Sequence, residues 1–241
     1  MIVSRLPPFA VVVPCFNEAE RIGATARATL QFLEMNSPES ELIIVNDGSI
    51  DATSTIARDA LVAAKIEARL LENFPNRGKG AAVRTGLLAA ARPIGLFFDA
   101  DLSTPLSEIP KLIEPISNDD VDLAFGSRAL DRKLIGIHQP WRREQAGRVF
   151  NLLVRIATGL PFWDTQCGFK AFRLDVCRPI LERARVQGFA FDVELLFLAH
   201  RAGLRLREIP VHWNHAEGSK VRVVHDSLAM LREVIALRLA S

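Results

Sequence analysis

Three apolar runs, AVVVPCF, ELIIVNDGS and PIGLFFDAD, each break off abruptly into polar or acidic residues. A run of consecutive β-branched and apolar residues marks a strand covered on both faces, which restricts the chain to a sheet buried between two layers. Between the runs the apolar spacing turns helical, in NEAERIGATARATLQFLEMN and in the segment carrying Ile56, Ala60 and Ala64, which Asp51-Ala-Thr-Ser is placed to cap. ARLLEN reads as a further short strand, and GKGAAVRTGLLAAA as a helix opened by glycines. Strands alternating with helices predict an α/β fold with a mainly parallel, Rossmann-like sheet flanked by helices. Ligands of such sheets bind beyond the carboxyl ends of the strands, where PCFNE, NDGSID and DADLSTP put their polar residues.

After about residue 125 the alternation stops. GSRALDRKLIGIHQPWRREQAG mixes Arg, Gly, Pro and Trp and is expected as a functional loop, followed by helices over 148–160 and 190–203. EIPVHWNH reads as an edge strand, and SLAMLREVIALRLAS as an amphipathic helix that either packs on the core or lies in an anionic interface beside Arg222, Arg232 and Arg238. With 241 residues, 49% hydrophobic and 24% charged, one large domain over 1–241 is expected. The formal charge of +2 gives no basis for coating nucleic acid. Cys15, Cys167 and Cys177 form no CxxC pair, which argues against a disulfide framework and for a reducing cytoplasm. No stretch reaches the roughly 18 apolar residues of a membrane span, so any membrane contact is expected to be peripheral, from the aqueous side.

The paired acids of DAD carry the most chemistry. Strand alternation would turn Asp99 and Asp101 to one side, where two carboxylates repel unless a cation or a shared proton offsets them. Hard ions such as Mg²⁺ or Mn²⁺ take such oxygens and keep water or phosphate oxygens as their other ligands. The plainer alternative is a polar turn in which Ser103-Thr104-Pro105 caps a helix. Asp47 in NDGSID stands at a strand terminus, suited to a base or ribose, and Arg77 and Lys79 in NRGKGAAVRTG stand where cations and helix N-terminal amides would meet a diphosphate. The pattern is not a Walker loop, since GxxxxGK[ST] is absent. Metal-binding acids, phosphate-binding bases and an acid for a base or sugar together point to a nucleotide-diphosphate site.

VVVPCFNEAERI, IIVNDGSIDATS, NRGKGAAVRTG, DADLSTP, GSRA, DTQCGFKAFR, GFAFDVELLFLA and EIPVHWNHAEGSKV occur in that order. Together they closely resemble the inverting family-2 glycosyltransferases, and within them the dolichyl-phosphate β-glucosyltransferases and mannose synthases. The resemblance spans about residues 9 to 225 and implies a GT-A fold, a UDP-sugar donor with UDP-glucose foremost, Mg²⁺ or Mn²⁺, and a polyprenyl-phosphate acceptor. It implies a donor half over about 9–125, an acceptor half over about 126–225, and nucleotide-side roles for Pro14, Asn17, Glu18, Asp47, Arg77 and Lys79. Asp99 and Asp101 fall on the metal motif, and Arg128, Arg143 and Arg148 on positions that hold the acceptor phosphate. Asp164, Asp192, Glu194, Ser219 and Lys220 complete the match: Asp164 and Asp192 as catalytic candidates beside Asp101 and Arg128, Ser219 on the acceptor side, and Lys220 on the leaving diphosphate.

The residues also carry plainer readings. Asp192 and Glu194 suit the solvated first turn of a helix, and Arg143 and Arg148 an ordinary surface. His138, His212 and His215 lack metal-ligand spacing and read as structural, Trp141 and Trp163 as core or interface anchors, and Cys167 has no adjacent base. A phosphate monoester, with a second pKa of about 6, needs no general base. Asp164 or Asp192 would serve as one only for a hydroxyl acceptor. A soluble or sugar acceptor, or a non-catalytic nucleotide-sugar-binding domain, is the alternative function, and the oligomeric state is not legible.

Overall fold

The computed structural model of the protein describes residues 5–216 and 223–239, without the side chains of 142, 143, 223–229 and 239. In chain order the strands are β1 (Ala10–Cys15), β2 (Glu41–Asp47), β3 (Glu67–Asn73), β4 (Ile94–Phe98), β5 (Leu123–Ser127), β6 (Ile135–Ile137), β7 (Phe169–Arg173), β8 (Leu206–Pro210) and β9 (Trp213–Asn214). The helices are α1 (Ile22–Asn36), α2 (Thr53–Leu61), α3 (Lys79–Ala89), α4 (Ile109–Ser117), α5 (Trp141–Thr158), α6 (Leu174–Arg183), α7 (Phe191–Arg201) and α8 (Val223–Leu239).

Seven strands form one sheet in the order β3-β2-β1-β4-β7-β5-β8, and β6 pairs with β9 beside it. Every residue of β1, β2 and β4 is buried, and the period of two sorts their side chains into two cores. Val11, Val13, Leu42 and Ile44 face α1 and its Ile22, Leu30 and Leu33, while Val12, Ile43, Val45 and Phe97 face Val83 and Leu87 of α3. The unbroken apolar runs of the sequence therefore reflect a sheet dry on both sides. The N-cap of α2 is Ala52, which has no capping side chain; Asp51, one residue earlier, accepts from Thr53 N at 3.0 Å, and the helix ends at Leu61, leaving Ala64 beyond it.

The second half departs from the expectation in three places. Strand β7 runs antiparallel to both β4 and β5, and its fully buried Lys170 interrupts the apolar pattern that would have marked it. Helices α4 and α6, each with an internal proline, Pro115 and Pro179, form in stretches given no element above. Helix α5 begins at Trp141 rather than at 148, so the end of the expected loop, 141–147, is its first turns. Helix α8 packs beside α5 through buried Met230 and Val234 and partly buried Leu231, whereas Ile235 is 46% exposed, so the core-packing reading holds for only part of its apolar surface. All three cysteines are buried, and none is in a disulfide. Among the described residues no helix is long and apolar enough to cross a membrane.

Candidate active site

The acidic motif is a turn and not the end of a strand. Strand β4 stops at Phe98, Leu102 N donates to Asp99 O at 3.2 Å with Leu102 at φ 50°, and Asp101 Oδ1 accepts from Ser103 N at 2.9 Å. The turn still delivers both carboxylates to one cleft of about 240 Å³, bordered also by Lys79, Arg128, Asp192 and His215. Lys79 opens α3 and sets its Nζ 2.6 Å from Asp99 Oδ1. Burial alone would lower the pKa of Lys79, but Asp99, Asp192 and Asp101 outweigh it and hold the ammonium above its ordinary value. Gly168 lies against the other oxygen: a Cβ there would stand 2.3 Å from Asp99 Oδ2.

Asp192 and Glu194 are not on a solvated face; both are buried in the first turn of α7. Lys170 reaches from β7 to 2.7 Å from Asp192 Oδ1 and donates to Cys167 O at 2.6 Å. Burial raises the Asp192 pKa, with Lys170 and then Lys79 opposing it. Glu194 accepts from Arg185 N and Val186 N, at 2.9 and 2.8 Å, and so holds the segment leading into α7.

The ends of β1 and β2 are joined to each other. Asn17, at φ 52°, donates its N–H to Ser49 Oγ at 2.8 Å and accepts from Ile50 N at 2.9 Å, and Glu18 N donates to Thr53 Oγ1 at 2.7 Å. Pro14 is buried within β1, in register with Val45. The Asp47 carboxylate accepts from Asn73 Nδ2 at 2.9 Å and Gly78 N at 2.6 Å, and takes Arg77 N between its oxygens. Gly80 N donates to Gln187 O at 2.7 Å. These amides serve the protein itself, so the expected amide cradle for a diphosphate is not formed by Arg77, Gly78 and Gly80. Gly78, at φ +100°, is required there, because a Cβ would stand 2.4 Å from Gln187 O.

A second, larger cleft of about 520 Å³ runs along α5 and is lined by Arg128, Arg148, Arg155, Leu152, Trp163 and His138, among others. Arg128 follows β5 and forks onto Asp164, Nε to Oδ2 at 2.7 Å and Nη2 to Oδ1 at 2.8 Å, while its backbone N–H donates to Oδ2 at 2.9 Å. Burial works against ionisation of Asp164, but the Arg128 guanidinium outweighs it and holds the carboxyl below its usual range. A carboxylate so engaged is not poised to take a proton, which counts against Asp164 as a base. Glu208 fastens the pair from below, accepting from Ser127 Oγ at 2.6 Å and Asp164 N at 2.7 Å.

Arg128, Gln139, Gly147, Asn151 and Trp213 border both clefts. Trp141 and Trp163 are not core anchors, being 72% and 55% exposed, and Arg155 stacks on Trp163 with its Cζ 4.0 Å from the ring centroid. His138 and His215 line the larger and smaller clefts respectively, whereas His212 donates its N–H to Glu108 Oε2 at 3.0 Å. Burial pushes the Cys167 thiol up to about 12, which agrees with its reading as no nucleophile. The Arg143 side chain, Ser219 and Lys220 lie outside the described residues. Lys170 and Glu208 escaped the sequence reading; Lys170 carried a signal, a charge among the apolar residues of FKAF, whereas Glu208 stands beside Arg207 in LREIP and carried none.

The acids suit a hard divalent ion. Two carboxylates face a solvent-connected cleft, and among the described residues no third His, Cys, Asp or Glu is grouped with them as a metal site. That leaves ligand positions for phosphate and water oxygens, the arrangement Mg²⁺ and Mn²⁺ favour.

Residues 10–181 match the family described as Glycosyl transferase family 2. The chain belongs to that family. Over 95% of its length this family-2 glycosyltransferase is 36% identical to the dolichyl-phosphate beta-glucosyltransferase of Drosophila melanogaster, covering 73% of that protein. It is 33% identical to the Saccharomyces cerevisiae dolichyl-phosphate beta-glucosyltransferase, over 96% of this chain and 74% of that one. The Homo sapiens protein of the same name is 32% identical, with 95% and 74% covered. Among solved structures, glucosyl-3-phosphoglycerate synthase from Mycobacterium tuberculosis, in complex with Mn²⁺, UDP-glucose and phosphoglyceric acid, superposes with a TM-score of 0.68 at 22% identity, over 97% of this chain and 79% of that one. The glycosyltransferase fold is thus of the GT-A type expected from the motifs.

Proposed function

We propose that this enzyme transfers glucose from UDP-glucose to the phosphate of a polyprenyl phosphate, with inversion at the anomeric carbon. The observation that carries the reading is the junction at Arg128, which borders both the acidic cleft with Asp99, Asp101 and Lys79 and the larger cleft with Arg148, Leu152 and Trp163. Similarity to three dolichyl-phosphate beta-glucosyltransferases supports the same assignment.

In this reading Asp99 and Asp101 hold Mg²⁺ or Mn²⁺, which when bound neutralises charge on the departing diphosphate. Lys79 adds a second positive charge beside it. Asp47 acts on the nucleotide side indirectly, by fixing the loop that carries Arg77 and leads into Lys79. Asn17 and Glu18 tie the neighbouring loops that border the nucleotide, and Pro14 supports them from within β1. Arg128, kept fully charged and oriented by Asp164, orients the acceptor phosphate with Arg148 beside it, by charge-assisted hydrogen bonds. The attacking phosphate is ionised near neutral pH, with a second pKa of about 6, and no base is required. Asp192, locked to Lys170, shapes the floor of the donor cleft.

The test is an acceptor competition. A short polyprenyl phosphate and the corresponding polyprenol are offered together with UDP-glucose and Mn²⁺. Glucose is expected on the phosphate alone. Transfer to the alcohol, or to a soluble phosphate in preference to the lipid, would assign the second cleft to a different acceptor and turn attention to Asp192 as a base.

A further inference from the structure

Lys170 is fully buried in the middle of the sheet, in a place that suits an apolar side chain. On β7 it pairs in register with Phe97 of β4 on one side and Phe125 of β5 on the other, and its Nζ stands 5.8 and 5.9 Å from the centroids of those two rings. Burying an ammonium is costly, and a buried ion pair is often no more stable than apolar side chains of the same volume. Stability therefore does not account for the Lys170–Asp192 pair.

The two oxygens that Lys170 meets indicate what it does. One belongs to Asp192, which borders the acidic cleft; the other is the Cys167 carbonyl, 2.6 Å away, which also accepts from Phe169 N at 2.8 Å. Cys167 stands in a short turn, 164–168, whose two ends serve different clefts. Asp164, at its start, holds the Arg128 guanidinium, and Glu208 holds that end by accepting from Trp163 N and Asp164 N at 2.9 and 2.7 Å. Gly168, at its end, lies so close to Asp99 that a Cβ would stand 2.3 Å from Oδ2. Each end of the turn thus has its own charged anchor, Glu208 towards Arg128 and Lys170 towards Asp99.

We propose that Lys170 is a positioning residue of the donor side: by holding the Cys167 carbonyl it seats Gly168, and through Gly168 it fixes the Asp99 carboxylate in the direction that a divalent ion and a nucleoside diphosphate require. Lys170 itself touches neither. Asp192 supplies the counter-charge that the buried ammonium needs, so one side chain sets both the wall of the cleft and the seat of Asp99. The inference rests on the assignment of Asp99 to metal and diphosphate made above, and not on the identity of the acceptor. Side chains that act one step behind a metal ligand typically govern affinity by about ten- to a hundredfold.

Lys170→Met alone would strand the buried Asp192 carboxylate and is expected to fold poorly, so the comparison is made in a neutral background. Asp192→Asn and the double variant Lys170→Met, Asp192→Asn differ only at position 170. The Kd for Mn²⁺ in the presence of UDP is read from free Mn²⁺ by electron paramagnetic resonance, and KM for a short polyprenyl phosphate from steady-state rates at saturating UDP-glucose. Relative to Asp192→Asn, the double variant is expected to bind Mn²⁺ with UDP roughly tenfold more weakly. Its acceptor KM is expected to stay within about twofold, because Glu208 holds Asp164 independently. Glu208→Gln is expected to do the opposite, raising the acceptor KM roughly tenfold and leaving Mn²⁺–UDP affinity unchanged.

Equal Mn²⁺–UDP affinity in the two Asp192 variants overturns the proposal, as does an equal loss of donor and acceptor affinity, the mark of a merely structural lysine. Failure of the double variant to fold where Asp192→Asn folds overturns it in the same way. Wild-type protein that binds Mn²⁺ with UDP but transfers no glucose to the lipid phosphate removes the acceptor reading, and the binding comparison still decides the role of Lys170. Wild-type protein that does not bind Mn²⁺ with UDP overturns both the metal assignment and the proposal.

Discussion

The ammonium of Lys79 stands 2.6 Å from Asp99 Oδ1, so a cation of the protein already occupies the acid that the proposed metal would use. A divalent ion arriving without nucleotide has to displace it, whereas one arriving with a diphosphate brings oxygens for Lys79 to move to. Lys79→Met is therefore expected to bind Mn²⁺ roughly tenfold more tightly in the absence of donor, because the competing charge is gone. Its kcat is expected to fall by about a hundredfold through loss of stabilisation of the leaving group. Free Mn²⁺ measured by electron paramagnetic resonance gives the first quantity, and steady-state rates the second. Weaker metal binding in the variant would mean that Lys79 supports the site instead of competing for it.

The Arg128–Asp164 pair sets an acid limit on stability. The Asp164 pKa is lowered below its ordinary value of 3.8, so the pair's contribution is full above that value and is lost as pH falls through the folded-state pKa. Asp164→Asn leaves the half-buried guanidinium without its counter-charge and is expected to cost about 3 kcal/mol near neutral pH. The melting temperatures of variant and wild type should converge as acidity increases below the ordinary carboxylate range. A constant gap across the acid range would show that Asp164 is not the titrating group.

Gly168 permits Asp99 to sit where it does. In Gly168→Ala the new Cβ would stand 2.3 Å from Asp99 Oδ2, and the carboxylate must turn away. Folding is expected to survive, while activity at saturating donor drops by about a hundredfold, the usual consequence of displacing a reacting geometry by about 1 Å. Normal activity in a well-folded variant would place Asp99 outside the reaction.

Thiol reagents offer a simple control. Burial raises Cys167 and Cys177 to about 12 each, and Cys15 is buried as well. Iodoacetamide is expected to leave native protein unlabelled and fully active near neutral pH, as judged by intact mass and rate. Rapid inactivation with single labelling at Cys167 would assign that residue a role it lacks here.

The first half of the molecule was readable because β1, β2 and β4 are dry on both faces and therefore written as apolar runs. Asp99 and Asp101 were found for the same reason, as charges at the end of such a run, although alternation misjudged the geometry: the chain turns at Asp99 and still brings the two acids to one cleft. The second half conceals its elements. Lys170 sits in the middle of β7, and its meaning appears only when α7 brings Asp192 to its tip. Asp164 likewise gave no sign of being spoken for, since its partner Arg128 comes from the end of β5 and its support Glu208 from β8.

The most direct test of donor and acceptor together is the mass of the lipid product. Purified protein is incubated with UDP-glucose and a short polyprenyl phosphate, with Mg²⁺ or Mn²⁺ and in parallel with a chelator. A glucosyl phospholipid formed only when the metal is present is the expected result. Metal-dependent consumption of UDP-glucose with no lipid-linked glucose would contradict the assignment of the arginine-lined cleft to a polyprenyl phosphate.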